Sequence, residues 1–272
     1  MNSKPPPPPP PRPWAQCPPD ALAAVRGVFP ARHDTLTREG AIEEQALDAL
    51  RGLHAAGLPV IAVTGRPLGW SEPFAHAWPV AAIVPENGAV ALIRQGKAVV
   101  TEYAQDAAMR ERNARRLREV AVTVLAEIPG TALARDSAGR VTDIAIDHGE
   151  FAQLDDTAIA QVVAVMQREG MSATVSSIHV NGWFGDHTKL SGARWMLRRL
   201  FGRELDAERQ RWVYVGDSTN DQAMFGYFPL SVGVANLCDF APALHTWPAY
   251  ITDGARGAGF AEVAARLLAA HR

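Results

Sequence analysis

Short apolar runs that stop abruptly at polar clusters govern what this chain can fold into. Leu58–Val63 (LPVIAV), Ala81–Val84 and Trp212–Val215 are unbroken hydrophobic segments. Continuous apolar runs of this length mark strands buried on both faces, whereas a half-solvated strand alternates apolar and polar residues. Between them lie stretches with helical spacing. In Ile42–Ala56, Leu47, Leu50 and Leu53 fall on one face and Gly57 is placed to stop the helix. Ser191–Phe201 and Phe260–Ala270 read the same way, and another helix starts near Asn220. Val25–Phe29, Leu230–Val234 and Ala249–Ile251 complete the strands. Strand–helix alternation of this kind predicts a Rossmann-type α/β core around a parallel sheet.

The middle of the chain has a different rhythm. Val90–Ile93 and Ala98–Thr101 flank Gln95-Gly96-Lys97, a hairpin pattern. A long helix over Asp106–Glu127 is followed by strands near Thr131–Ala134 and Val141–Ile146. A second helix over Asp155–Arg168, with Asp155 as N-cap, precedes strands at Ala173–Ser176 and His179–Phe184. This reads as an inserted α+β cap over 90–188, with the core formed by 21–89 and 189–272. Residues 1–20 read as a proline-rich, unpacked tail. Its unbroken run Pro5–Pro11 favours polyproline II, and a weak protein ligand is the functional reading of it.

A net charge of −2 gives no electrostatic reason to expect nucleic acid or an anionic membrane as partner. No apolar run approaches the roughly 18 residues that span a bilayer. Cys17 and Cys238 lie far apart, so the expectation is a reduced, cytoplasmic protein without a structural disulfide.

In open parallel sheets, ligands bind beyond the carboxyl ends of the strands. Here those ends carry Thr64-Gly65-Arg66, Glu86-Asn87-Gly88 and Gly216-Asp217-Ser218-Thr219-Asn220-Asp221, with Lys189 before the helix leading to the last. Each has a plain structural reading. Thr64 can cap a turn, Asn87-Gly88 is a common turn pair, and a lone lysine is usually solvated. Asp217 and Asp221 with Asn220 after a buried strand suit a hard divalent cation beside a phosphate. Taken in order, hydroxyl, lysine and acidic cluster make a phosphate and Mg²⁺ site. No Walker-type loop is present.

The ordered set TGRP, PENGA (Pro85–Ala89), HTKLSGARWML (His187–Leu197) and VGDSTNDQAMF (Val215–Phe225) resembles the phosphatases of the haloacid dehalogenase-like superfamily, subfamily IIB. That group includes Cof-type, sucrose-phosphate and mannosyl-phosphoglycerate phosphatases. The resemblance runs from about Arg26 to the C-terminus. It implies that Thr64 holds the transferring phosphoryl group, Lys189 neutralises it, and Asp217 ligates Mg²⁺ with support from Asp221 and Asn220. Gly65, Arg66 and Asn87 would line the phosphate and substrate site. The cap would select a small phosphorylated metabolite such as a sugar phosphate.

The family's first motif is a strand followed by two aspartates one residue apart. Here the segment reads Val28-Phe29-Pro30-Ala31-Arg32-His33-Asp34-Thr35-Leu36-Thr37. Aligning on Asp34-Thr35-Leu36-Thr37 puts Ala31 at the nucleophile and His33 at the acid/base. The other register puts Arg32 at the nucleophile. Neither supplies a carboxylate to attack phosphorus, and loss of a nucleophile costs on the order of 10⁴ to 10⁶ in turnover. Only His33 remains as a base for water. The expectation is therefore a hydrolase impaired as written. The alternatives are a pseudo-phosphatase that binds a phosphorylated ligand, or a scaffold for the proline tail.

Overall fold

The structure is a computed structural model that describes residues 10–272. Contacts divide the chain into two compact units. One contains the chain up to Ala62, Trp78–Ala81 and Leu197–Arg272; the other contains Val63–Ala77 and Ala82–Met196. The second unit holds the inserted segment expected over 90–188 together with the strand ends at Thr64 and Asn87.

In chain order, the first unit begins with β1 (Arg12–Pro13), α1 (Pro19–Ala23), β2 (Gly27–Pro30), β3 (Thr37–Arg38), β4 (Ala41–Ile42) and α2 (Glu44–Ala55), and runs into β5 (Ile61–Val63). The second unit carries α3 (Leu68–Ala77), β6 (Ala82–Val84), β7 (Val90–Gln95), β8 (Ala98–Tyr103), α4 (Ala107–Glu127), β9 (Ala132–Leu133) and β10 (Asp143–Asp147). It continues with α5 (Asp156–Arg168), β11 (Ser172–Val175), β12 (His179–Trp183) and the start of α6 (Lys189–Phe201). The chain then returns to the first unit with α7 (Leu205–Glu208), β13 (Trp212–Gly216), α8 (Gln222–Tyr227), β14 (Leu230–Gly233), β15 (Tyr250–Ile251) and α9 (Arg256–Ala270).

The first unit is built on a parallel sheet of order β1-β15-β14-β13-β2. Its strands are the apolar runs seen in the sequence, with Val28, Phe29, Val213 and Val215 fully buried. Pro30 leaves a mark on β2. The Val28 N–H donates to the Pro59 carbonyl (3.0 Å), and the next N–H on that side would belong to residue 30. Proline has none, so pairing there shrinks to the single bridge Val28–Val60. On the other side the Ala31 N–H donates to Val215 (2.7 Å), which keeps the strand end in place.

Residues 12–20 differ from the expected unpacked tail. Arg12–Pro13 pairs with Tyr250–Ile251 as an edge strand, a position that tolerates proline. Trp14 is buried and meets Tyr250 edge-on at 5.5 Å, and Cys17 is buried beside it. Burying an indole favours ordering this stretch, a gain that proline composition alone does not reveal. Residues 1–9 lie outside the described residues.

In the second unit, β6, β7 and β8 pair antiparallel, the expected hairpin included. The inserted segment forms a second antiparallel sheet of order β11-β12-β10-β9. Its core packs Leu117, Val120 and Val124 of α4 and Val162 and Met166 of α5 against Ile146 and Val180. Asp106 and Asp155 cap the two helices, accepting from Met109 (2.7 Å) and Ala158 (2.8 Å) respectively. The helix at Leu68–Ala77 escapes the sequence reading because Gly69 and Pro73 interrupt its pattern. Among the described residues, no helix is long and apolar enough to cross a membrane.

Candidate active site

In the first unit, the ends of β2 and β13 bring two motifs together. β2 runs directly into Ala31, 4% exposed, whose side chain is a methyl group where the resemblance calls for a nucleophilic carboxylate. Beyond it the chain turns tightly. Leu36 N–H (3.0 Å) and the Thr37 hydroxyl (3.2 Å) both donate to the Arg32 carbonyl, and Asp34 takes a left-handed conformation at φ 52°. Arg32 is fully buried. The buried Thr35 hydroxyl donates to Asp217 Oδ1 at 2.7 Å, which ties this turn to the strand end of β13.

His33 Nδ1 lies 3.0 Å from Asp34 Oδ2, with both side chains partly exposed. Arg256 Nε lies 3.4 Å from Asp34 Oδ1. Burial works to raise the Asp34 pKa, but the His33 hydrogen bond and charge, with Arg256, outweigh it and hold the carboxyl below its ordinary range. The pairing fixes one ring nitrogen of His33 and leaves Nε2 as its second polar atom.

The β13 strand end is a hydrogen-bonded turn. Asp221, fully buried, accepts from Tyr214 Oη at 2.5 Å through Oδ1, and from the Asp217 (2.9 Å) and Ser218 (3.2 Å) N–H groups through Oδ2. A Cβ on Gly216 would fall 2.6 Å from that carboxylate, so only glycine lets the turn close. Burial and the Asp221 charge push the Tyr214 hydroxyl well above its ordinary pKa, so it remains a donor. Beside the metal role expected of it, Asp221 shapes the loop that carries Asp217. Asn220 also serves the loop, accepting from the Ser218 hydroxyl at 3.1 Å.

In the second unit, Thr64 and the Glu86-Asn87-Gly88 loop interlock. Thr64 N–H donates to Val84 (2.9 Å), its carbonyl accepts from Asn87 N–H (3.0 Å), and its hydroxyl accepts from Arg66 N–H (3.1 Å). The Asn87 amide lies against Gly65, where an added Cβ would meet Asn87 Oδ1 at 3.1 Å. Glu86, Asn87 and Gly88 all have positive φ, an uncommon run that needs strong anchoring. Glu86 provides it from a fully buried position. Its carboxylate accepts from Leu68 N–H (2.9 Å), Val141 N–H (3.1 Å), Thr142 N–H (2.6 Å) and the Thr142 hydroxyl (2.5 Å).

Lys189 arrives through a close backbone approach. A Cβ on Gly88 would overlap the Thr188 carbonyl, and one on Gly192 would lie 2.8 Å from Gly88 Cα. The two glycines therefore seat the first turn of α6 on the Asn87 loop, with Lys189 largely buried. Thr188 and Ser191 cap that turn reciprocally, at 2.8 and 3.1 Å.

Arg66 departs most from its expected phosphate-binding role. It is 5% exposed and pairs with Asp136 (3.0 Å) and Glu150 (3.3 Å) of the inserted segment. Asp136 also holds Arg140 (3.1 Å), and Arg140 grips Asp143 through both oxygens (2.9 and 3.0 Å) while donating to the Gly65 carbonyl (3.1 Å). His179 Nε2 lies 3.1 Å from Glu150, and Asn181 Nδ2 reaches Asp143 and the Gly65 carbonyl, both at 3.4 Å. Burial pushes the Asp143 pKa up to about 7; Arg140 opposes this and Glu86 adds to it. Burial, helped by Arg66 and Arg140, lowers His179 to about 4. The sequence carries no signal for this network: Arg140 pairs locally with Asp136 and Asp143, but Arg66 reaches Asp136 and Glu150 from 70 and 84 residues away. The cap residue Arg135 instead stacks on Phe151, 3.5 Å from the ring centre.

The sequence profile of haloacid dehalogenase-like hydrolases matches residues 34–122. No curated protein sequence matches the chain. Its fold is similar to that of protein 0175 of Thermoplasma acidophilum (TM-score 0.68, 16% identity, covering 89% of this chain and 98% of that one). It is also similar to the sucrose-phosphatase of Synechocystis, solved with sucrose and phosphate (TM-score 0.62, 14% identity, 89% and 98%). A third is the C-terminal domain of trehalose-6-phosphate phosphatase from C. albicans (TM-score 0.63, 12% identity, 92% and 95%). The chain therefore has the haloacid dehalogenase-like fold, a parallel α/β core with an inserted α+β cap.

Proposed function

We propose that this chain is a phosphomonoester hydrolase of the haloacid dehalogenase type, directed at a small phosphorylated metabolite such as a sugar phosphate, with turnover severely reduced by Ala31 and His33. The observation that carries it is intact motif support inside the first unit: Thr35 still holds Asp217 and Asp221 still closes the loop, yet β2 delivers a methyl group. Within the second unit, Gly88 and Gly192 separately seat Lys189. The sugar-phosphate reading follows the fold's likeness to the sucrose- and trehalose-phosphate enzymes.

Mg²⁺ does not fit the first unit as it stands. A hard cation needs several oxygen ligands. Ala31 offers no side-chain donor, Asp217 Oδ1 accepts from the Thr35 hydroxyl, and the Asp221 oxygens accept from Tyr214 and two backbone N–H groups. Among the described residues, no group of three His, Cys, Asp or Glu side chains is arranged to hold a metal. Hydrolysis by this chain therefore rests on His33 as a base for water, with Asp34 fixing the ring through Nδ1. Lys189 supplies positive charge for the phosphoryl group.

The committed state of Asp221 also favours a second reading, a protein that binds a phosphorylated ligand without turning it over. Titration calorimetry with glucose 6-phosphate, paired with a phosphate-release assay, separates the two. Binding with slow release supports hydrolysis, and binding without release supports the second reading. No affinity for glucose 6-phosphate or other sugar phosphates sinks both.

A further inference from the structure

We propose that the outer face of α4 is a self-complementary surface on which two copies of this chain associate, an inference independent of the hydrolase reading. The inner face of α4 (Ala107–Glu127) is committed, because Leu117, Val120 and Val124 belong to the core of the inserted segment. The outer face carries Arg112, Arg115, Arg118, Glu119, Val122 and Leu125, all exposed. Steps of three and four residues bring these side chains onto one side of the helix.

Two features of this face suit a partner. One is apolar. Val122 is 67% exposed, more than any other large apolar side chain among the described residues, and Leu125 beside it is 40% exposed. Single exposed aliphatics are ordinary on a surface, but these two adjoin on one helix face. The other is charge. Among the described residues, Arg115, Arg118 and Glu119 form no ion pair within the chain. Their neighbours are engaged elsewhere: Glu127 pairs with Arg168 at 2.8 Å, and Arg116 stacks on Phe184, 3.7 Å from the ring centre.

The order of these residues fits one arrangement. In a two-fold contact, wherever residue i of one copy meets residue j of the other, j also meets i. Two α4 helices packed antiparallel, with the axis between Arg118 and Glu119, set each Arg118 against Glu119 of the second copy. The same register lays Arg115 on Val122 of the second copy and Arg112 on Leu125. Arginine stems cover apolar surface while their guanidinium groups stay in water, so both aliphatics are shielded without burying a charge. Sliding one helix by a turn loses this match. In one direction Arg115 meets Arg118, a like-charge contact, and in the other Glu119 meets Val122.

The test is sedimentation velocity of the full-length chain over a series of concentrations. The expected result is a mass that rises with concentration toward that of two chains. Val122→Glu, Arg118→Glu and Glu119→Arg should each weaken association by about tenfold or more, because each brings like charges or an unpaired carboxylate into the contact. An equimolar mixture of the Arg118→Glu and Glu119→Arg chains should associate as tightly as the parent, since both cross-pairs are then opposite in sign. All three positions are exposed, and circular dichroism matching the parent shows that the variants fold. A parent chain that stays monomeric at every concentration overturns the proposal. So does association that the three variants leave unchanged, or a mixture that associates no more tightly than either variant alone.

Discussion

Replacing Asp143 by Asn should steepen the acid instability of the second unit, and the structure fixes the size of the effect. Among the shifted groups there, three titrate between about pH 4 and 7: Asp143 at about 7, and His179 and His187 each at about 4. Burial is the leading cause in all three. Between pH 4 and 6.5 the folded unit keeps a proton on Asp143 and none on the two imidazoles. The unfolded chain does the reverse, because its carboxyl titrates near 3.9 and its imidazoles near 6.5. The raised Asp143 pKa contributes stability present below about pH 4 and lost as pH rises to 7. The depressed histidines contribute stability present above 6.5 and lost as pH falls to 4. Net, the unfolded chain holds one more proton, so stability falls by about 1.4 kcal/mol per pH unit on acidification, or about 3 kcal/mol over the window. In Asp143→Asn the opposing proton is gone. Two protons then drive unfolding, so the pH dependence roughly doubles in slope. The assay is urea unfolding at a series of pH values, read by ¹⁹F NMR of fluorotryptophan at Trp183, whose ring stacks on His187 at 5.6 Å. An Asp143→Asn slope equal to or shallower than that of the parent would refute a protonated Asp143.

Further outcomes follow from single contacts. Gly88→Ala places a Cβ into the Thr188 carbonyl at a positive φ, so it should cost about 3 kcal/mol and weaken phosphate binding by displacing Lys189, as calorimetry with inorganic phosphate would register. Tyr214→Phe strips a buried donor from Asp221 and should cost about 2 kcal/mol in denaturant unfolding; no change would mean that Asp221 is held without it. Pro30→Val returns an N–H to the Val60 side of β2 and should stabilise by about 1 kcal/mol, seen as a higher denaturant midpoint.

The sequence carried most of the architecture because the decisive signals were local. Buried strands announce themselves as unbroken apolar runs, and Asp106 and Asp155 mark helix starts through bonds within one turn. Asp217 and Thr64 stand out as candidates because strand ends present ligands in this kind of sheet, whereas Lys189, at the start of α6, stands out only through the order of the motifs. What stayed hidden depends on long-range partners. Arg66 read as a phosphate ligand until Asp136 and Glu150 claimed it from 70 and 84 residues away. The loop-shaping bonds of Asp221 to Tyr214 and the backbone were equally hidden. Trp14 read as part of a loose tail because its contact, Tyr250, lies at the other end of the chain.

The proposed hydrolase reading turns on the two motif I carboxylates that Ala31 and His33 replace. The direct measurement is hydrolysis of p-nitrophenyl phosphate with Mg²⁺ by the parent chain and by the Ala31→Asp/His33→Asp variant. Turnover higher in the variant by on the order of 10⁴ or more is the predicted result. Equal rates in the two, or a parent chain already turning over about ten times per second as an ordinary enzyme does, would contradict it.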